Sequence, residues 1–100
     1  MKILSIEQSP LKTKRFRVYL DNGRKYDFGL KRGQTYIDHH DKIKRINYQA
    51  RHLGSEKEKP YLENLVASPA LFSFHILWGP STSIKKNIQV LNKLLRDHIL

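Results

Sequence analysis

From Lys14 onward the chain alternates. Phe16, Val18 and Leu20 fall on one face of an extended segment, and Arg15, Arg17 and Tyr19 fall on the other. Asp21-Asn22-Gly23 interrupts the alternation as a turn, and Tyr26 and Phe28 resume it. Which turn joins the two strands can be decided by consistency of faces. A two-residue loop sets Val18 against Asp27 and Leu20 against Lys25, which mixes charge into the apolar face. A three-residue loop sets Phe16 against Phe28, Val18 against Tyr26 and Arg17 against Asp27, so both faces agree. The three-residue loop is therefore expected, with Gly23 left-handed and forming a bulge. The outer face would then show Arg15, Arg17, Tyr19 and Lys25, offset only by Asp27. Residues 3–6 offer a short first strand before Ser9-Pro10 breaks the pattern.

Beyond Gly29 and Gly33, which bracket a loop carrying Lys31 and Arg32, the period changes. Asp38 or Asp41 can cap a helix running to about Leu53. Ile43, Ile46, Ala50 and Leu53 recur at 3-4-3 spacing and predict its core-facing stripe, with Lys42, Lys44, Arg45 and Arg51 on the remaining surface. Gly54 ends it. Pro60 suits the first position of a second helix carrying Tyr61, Leu62, Leu65 and Val66 and stopping near Ser68-Pro69. A further short helix covers about Ala70 to Trp78 and ends at Gly79-Pro80. Ser81 or Ser83 caps the last one, which runs to about His98. There Ile84, Ile88, Leu91 and Leu95 form a 4-3-4 stripe joined by Leu94. The predicted fold class is α+β: an N-terminal antiparallel β-hairpin, with a possible third strand, packed against three or four helices.

One hundred residues support one hydrophobic core, so residues 1–100 are read as a single domain. The 19 Lys and Arg against 9 Asp and Glu give a net charge of +10. This excess is uneven. Residues 1–53 hold 13 basic and 5 acidic side chains, a net +8, whereas residues 54–100 hold 6 and 4, a net +2. Such a one-sided excess repels itself unless an anionic partner offsets it. The expected contacts are Arg15, Arg17, Tyr19, Lys25, Lys31, Arg32, Lys42, Lys44, Arg45 and Arg51.

Residues 64–84 contain no Asp, Glu, Lys or Arg. Their continuous apolar part, Ala70 to Trp78, is interrupted by Ser73 and His75. It is too short to cross a bilayer, which needs about 20 apolar residues, and suits a buried helix instead. The apolar stretch after Met1 is likewise too short for a signal peptide, so a soluble protein is expected. Absence of cysteine excludes disulfides and thiolate zinc sites.

No catalytic constellation emerges. Asp38, His39, His40 and Asp41 invite a metal reading, but adjacent His side chains point apart on regular structure, and no ligand spacing is matched. Asp38-His39, Asn47 and His52 sit too close together for a His-Asn-His nuclease site. No phosphate loop or nucleophile elbow is present. The expectation is a binding or structural module rather than an enzyme, with no cofactor, metal or small-molecule substrate. Aromatics interleave with the basic residues, but the strand register turns Phe16, Tyr26 and Phe28 inward and leaves only Tyr19 on the basic face. Contact with nucleic acid would then be mainly to phosphate. Trp78 is expected as a core anchor.

Asp27-Phe28-Gly29, Thr35-Tyr36-Ile37-Asp38-His39-His40-Asp41, Arg45-x-Asn47-Tyr48-x-x-Arg51-His52 and Leu77-Trp78-Gly79-Pro80 together resemble a family of small basic proteins of unknown function from large nucleocytoplasmic DNA viruses of algae and protists. The resemblance spans roughly residues 14–90. The paired His39-His40 and the Ser68-Pro69 before the late helix depart from the family pattern. What the resemblance implies is a viral setting, with no catalytic residue to carry over. Two functions follow as expectations. One is a virion structural protein, a minor capsid or cement protein meeting acidic capsid proteins or a charged inner membrane surface. The other is a sequence-independent binder of duplex or single-stranded nucleic acid. Either would act in the virion, or in the host cytoplasm or virus factory during assembly.

Overall fold

The computed structural model describes residues 1–98. Three strands, β1 (Ile3–Gln8), β2 (Lys14–Leu20) and β3 (Lys25–Leu30), form an antiparallel sheet in that order. The β2–β3 register is the expected one, with Phe16 opposite Phe28, Arg17 opposite Asp27 and Val18 opposite Tyr26. Leu20 N donates to Arg24 O at 2.9 Å, so the loop is Asp21-Asn22-Gly23, and Gly23 has φ +83°. The third strand also forms. β1 pairs with β2, setting Ile3 opposite Leu20 and Ile6 opposite Val18, with an irregular step between Ile3 and Ser5.

Five helices follow: α1 (Tyr36–His39), α2 (Lys42–Leu53), α3 (Lys59–Glu63), α4 (Pro69–Phe72) and α5 (Ile84–Asp97). The helix α4 continues as a π-helical turn over Ser73–Leu77. The chain is a small single α+β domain. Its core is layered around the α4 segment. Leu71, Phe72, Ile76 and Leu77 are fully buried, with Val18, Leu20 and Phe28 of the sheet and Leu91 and Leu95 of α5 in the same cluster. Phe72 sits 6.0 Å from Phe28 and 5.5 Å from Tyr26, ring centre to ring centre, in tilted geometries favoured by aromatic quadrupoles.

Asn87 is a fully buried polar side chain on α5. Its amide donates to Ile76 O at 2.8 Å and Ser81 O at 2.7 Å, and its carbonyl accepts from Ser81 N at 2.9 Å. It thereby pins the corner after Trp78, where Gly79 leaves no room for a side chain: a Cβ there would lie 2.1 Å from His75 O. Asn92, one turn further along α5, accepts from Ile3 N at 2.8 Å and donates to Ile3 O at 3.0 Å. The last helix thus completes hydrogen bonding at the start of the first strand.

Several sequence expectations are corrected. The segment from Asp38 is two helices, not one. Thr35 caps α1, with Asp38 at its third position closing a capping box, and His40 at φ +58° terminates it. Asp41 then caps α2, accepting from Ile43 N at 3.0 Å and Lys44 N at 3.1 Å. Pro60 takes the second position of α3, after Lys59, and this helix stops at Glu63, with Leu65 turned to φ +51°. Ser68 and Ser83 cap α4 and α5. Leu94 is exposed and lies outside the buried α5 stripe.

The largest correction concerns α2. Its expected core stripe faces solvent: Ile43 is 72% exposed, Ile46 60% and Leu53 41%, and no residue of the helix is fully buried. The face turned inward carries Arg45, Tyr48, Gln49 and His52. The cause lies at the end of the Ser73–Leu77 turn, where backbone carbonyls lack helical partners. Arg45 Nε donates to Trp78 O at 3.1 Å and Gly79 O at 2.7 Å, and Gln49 Nε2 donates to Trp78 O at 3.2 Å. The Tyr48 ring stacks on Trp78 at 4.2 Å and 5°. Satisfying those carbonyls and stacking the rings takes the inward face, and the aliphatic residues occupy the opposite one. Trp78 itself is the expected core anchor.

Candidate anionic-partner interface

The outer face of the sheet was expected to be a basic surface with one compensating carboxylate. Three carboxylates reach it. Arg17 makes two bonds to Asp27, Nε to Oδ1 at 2.9 Å and Nη2 to Oδ2 at 3.1 Å. Arg15 grips Asp38 through two bonds of 2.7 Å. Glu7, delivered by β1 opposite Arg17, accepts the Tyr19 hydroxyl proton. The hydrogen bonds from Arg15, then those from Thr35, hold the Asp38 carboxyl far below the usual carboxylate range against the opposing effect of burial. Asp27 is lowered first by Arg17 and also by Ser9, whose hydroxyl donates to it at 2.6 Å. Arg15, Arg17 and Tyr19 are therefore committed to internal bonds, and of the four residues expected to form this face only Lys25, opposite Tyr19, makes no side-chain bond among the described residues. The expectation that Asp27 alone offsets this face is corrected: the sequence pattern located the cations but not the carboxylates that α1 and β1 bring.

Arg45 is committed too, through its bonds to the Trp78 and Gly79 carbonyls, and its guanidinium lies 5.5 Å from the Tyr36 ring centre. Lys31 Nζ donates to Leu11 O at 3.1 Å, and with Arg32 and Lys12 it borders a shallow depression beside Gly33. Lys42, Lys44 and Arg51 belong to the exposed part of α2. Lys44 and Arg51 flank a second depression with Asn47 and Gln34. Arg51 also borders a larger cleft of about 480 Å³ between α2 and the β3–α1 connection, which Lys14 lines as well.

Lys14 was missed by sequence reasoning. It shares strand parity with Phe16, Val18 and Leu20, so alternation assigns it to the core side. It escapes burial because it stands at the strand end, beyond the sheet's packed centre.

The His and Asp residues around α1 are engaged elsewhere. His39 Nδ1 accepts from Asp41 N at 2.9 Å, Asp38 serves Arg15 and Thr35, and Asp41 caps α2. Among the described residues no three His, Asp or Glu side chains gather to hold a metal ion. His52 pairs with Glu58 across the α2–α3 loop and lies 4.0 Å from the Tyr48 ring.

Of the expected contact residues, those left outside internal pairs therefore lie mostly on α2 and on the loops at its side rather than on the sheet. The helix α2 contains four Lys and Arg and no Asp or Glu. On it the cations Lys42, Lys44 and Arg51 border exposed Ile43, Ile46 and Leu53. The arrangement is a convex, basic amphipathic helix with its apolar side turned away from the domain.

The class defined by this fold and surface is a small basic α+β domain with a charged helix on its exterior. Residues 4–52, from β1 through nearly all of α2, match the model of a family described as "Family of unknown function (DUF5754)". The matched part is the basic half, including the outward-facing helix. No curated protein and no solved structure matches the chain. Among the described residues no helix is long and apolar enough to cross a membrane.

Proposed function

We propose that this chain is a small non-catalytic structural protein held on an acidic surface by the outer side of α2. The family resemblance supports a virion as the setting, with the chain as a minor capsid or cement protein beneath a large shell. The observation that carries the reading is the joint exposure of Ile43, Ile46 and Leu53 with Lys42, Lys44 and Arg51 on one helix. A surface that binds phosphate alone has no use for three exposed aliphatic side chains, whereas a docked interface buries them.

A second reading is a sequence-independent nucleic-acid binder. It is favoured by the cleft that Lys14 and Arg51 both line and by the adjoining depression with Lys44 and Asn47. Titrating duplex and single-stranded DNA at increasing salt separates the two. For the structural role, binding weaker than micromolar is expected at about 150 mM salt, with the chain retained in purified shells stripped of genome. Micromolar or tighter binding whose affinity falls with a log–log salt slope of about −0.9 per phosphate contact would replace it with the nucleic-acid role.

A further inference from the structure

We infer that α2 docks on an anionic lipid surface, its aliphatic side chains entering the headgroup boundary and its lysines and arginine meeting lipid phosphates. The inference rests on the structural reading above and names its acidic surface. The inside-out setting of α2 is its basis. An ordinary surface helix buries its aliphatic stripe; here Tyr48, Arg45 and Gln49 take the buried side, and Ile43 and Ile46 stand 72% and 60% exposed. The helix carries Lys42, Lys44, Arg45 and Arg51 with no carboxylate in it. A convex stripe of aliphatics flanked by cations is the form that lies in the plane of a bilayer interface. Anionic headgroups complement those cations, and long Lys and Arg side chains can keep their charges at headgroup level while the stripe beneath is covered.

The other occupants fit less well. A second copy would set three cations, Lys42, Lys44 and Arg51, against the same three. A nucleic-acid backbone would satisfy Lys42, Lys44 and Arg51 but leave the aliphatics in water. A protein partner would have to supply an acidic groove shaped to a convex helix, and nothing else in the chain points to one.

Vesicle co-sedimentation tests the inference, using the full chain with phosphatidylcholine vesicles and with vesicles containing about 30 mol% phosphatidylserine. Binding to the anionic vesicles only is expected. The double variant Ile43→Ser/Ile46→Ser, both positions being exposed, should fold normally by circular dichroism yet lose roughly tenfold or more in partitioning. Lys42→Gln/Lys44→Gln should lose a similar factor, since each cation near the surface counts separately. Absence of binding to either vesicle overturns the lipid inference, and retention in genome-free shells would then still uphold the structural reading. Anionic-vesicle binding unchanged by the isoleucine substitutions overturns it as well, because plain charge attraction would account for the result. Tight duplex binding without vesicle binding overturns both readings.

Discussion

Removing the Asn87 amide would strand the Ile76 carbonyl in the interior and leave the half-buried Ser81 carbonyl and amide without their Asn87 partner. Loss of a buried partner costs more than the bond itself contributes, because the groups left behind have already given up water. Asn87→Ala should lower unfolding free energy by about 2–4 kcal/mol, read from urea denaturation at constant m. His75 contributes in another way. It lies largely buried beside the Phe74 ring, 5.0 Å between centres, and burial lowers its imidazole to about 4 from an ordinary 6.5. The unfolded chain therefore binds a proton near pH 6.5 that the folded chain refuses until about pH 4. The stability due to neutral His75 is fully present above pH 6.5 and is lost as pH falls through that window. The loss should approach about 3 kcal/mol at pH 4. Thermal melts between pH 7 and 4 should show it, and His75→Leu should flatten that part of the profile. Below this range protonation of Asp38, which Arg15 now keeps ionised, adds a separate decline.

At the scale of elements, the hairpin was legible and the orientation of α2 was not, for one physical reason. Strand register is a local problem: Phe16, Val18, Tyr26 and Phe28 constrain one another across a three-residue turn, and Gly23 supplies the left-handed φ the turn needs. Helix caps were nearly as local, and Asp41, Ser68 and Ser83 stand where short-range rules place them. Which side of α2 turns inward depends on groups 30 residues or more away, the carbonyls of Trp78 and Gly79. Hydrophobic periodicity found the stripe correctly but could not know that Arg45, Gln49 and Tyr48 had stronger claims on the interior. The same limitation hid the Asp38 partner of Arg15. A paired comparison tests the inverted helix. Arg45→Ala should destabilise the domain by about 2 kcal/mol, because the Gly79 carbonyl loses its partner and the Trp78 carbonyl keeps only Gln49, whereas Ile43→Ser should shift stability by no more than about 0.5 kcal/mol. A conventional amphipathic helix would give the reverse order.

For the molecule as a whole, the net +10 is not one basic face. The sheet spends Arg15 and Arg17 in internal pairs, and the remaining cations are spread over α2, its neighbouring loops, the strand ends and α5. The site was therefore legible as an excess of cations and illegible as a surface. Only the folded arrangement tells which cations have carboxylates beside them. The domain is also closed end to end by the two bonds between Asn92 and Ile3, which lie 89 positions apart. Asn92→Ala should speed hydrogen exchange in β1 while leaving β2–β3 protection nearly unchanged, with a stability loss of about 1 kcal/mol. That closure also sets a timetable for synthesis. The β2–β3 hairpin can assemble while the chain is still emerging from the ribosome, because its contacts are local. β1 emerges 89 positions ahead of its Asn92 partner. Until then the start of β1 and the core flank beside Ile3 wait exposed, so the emerging chain depends on rapid docking of α5, or on a chaperone, to escape aggregation.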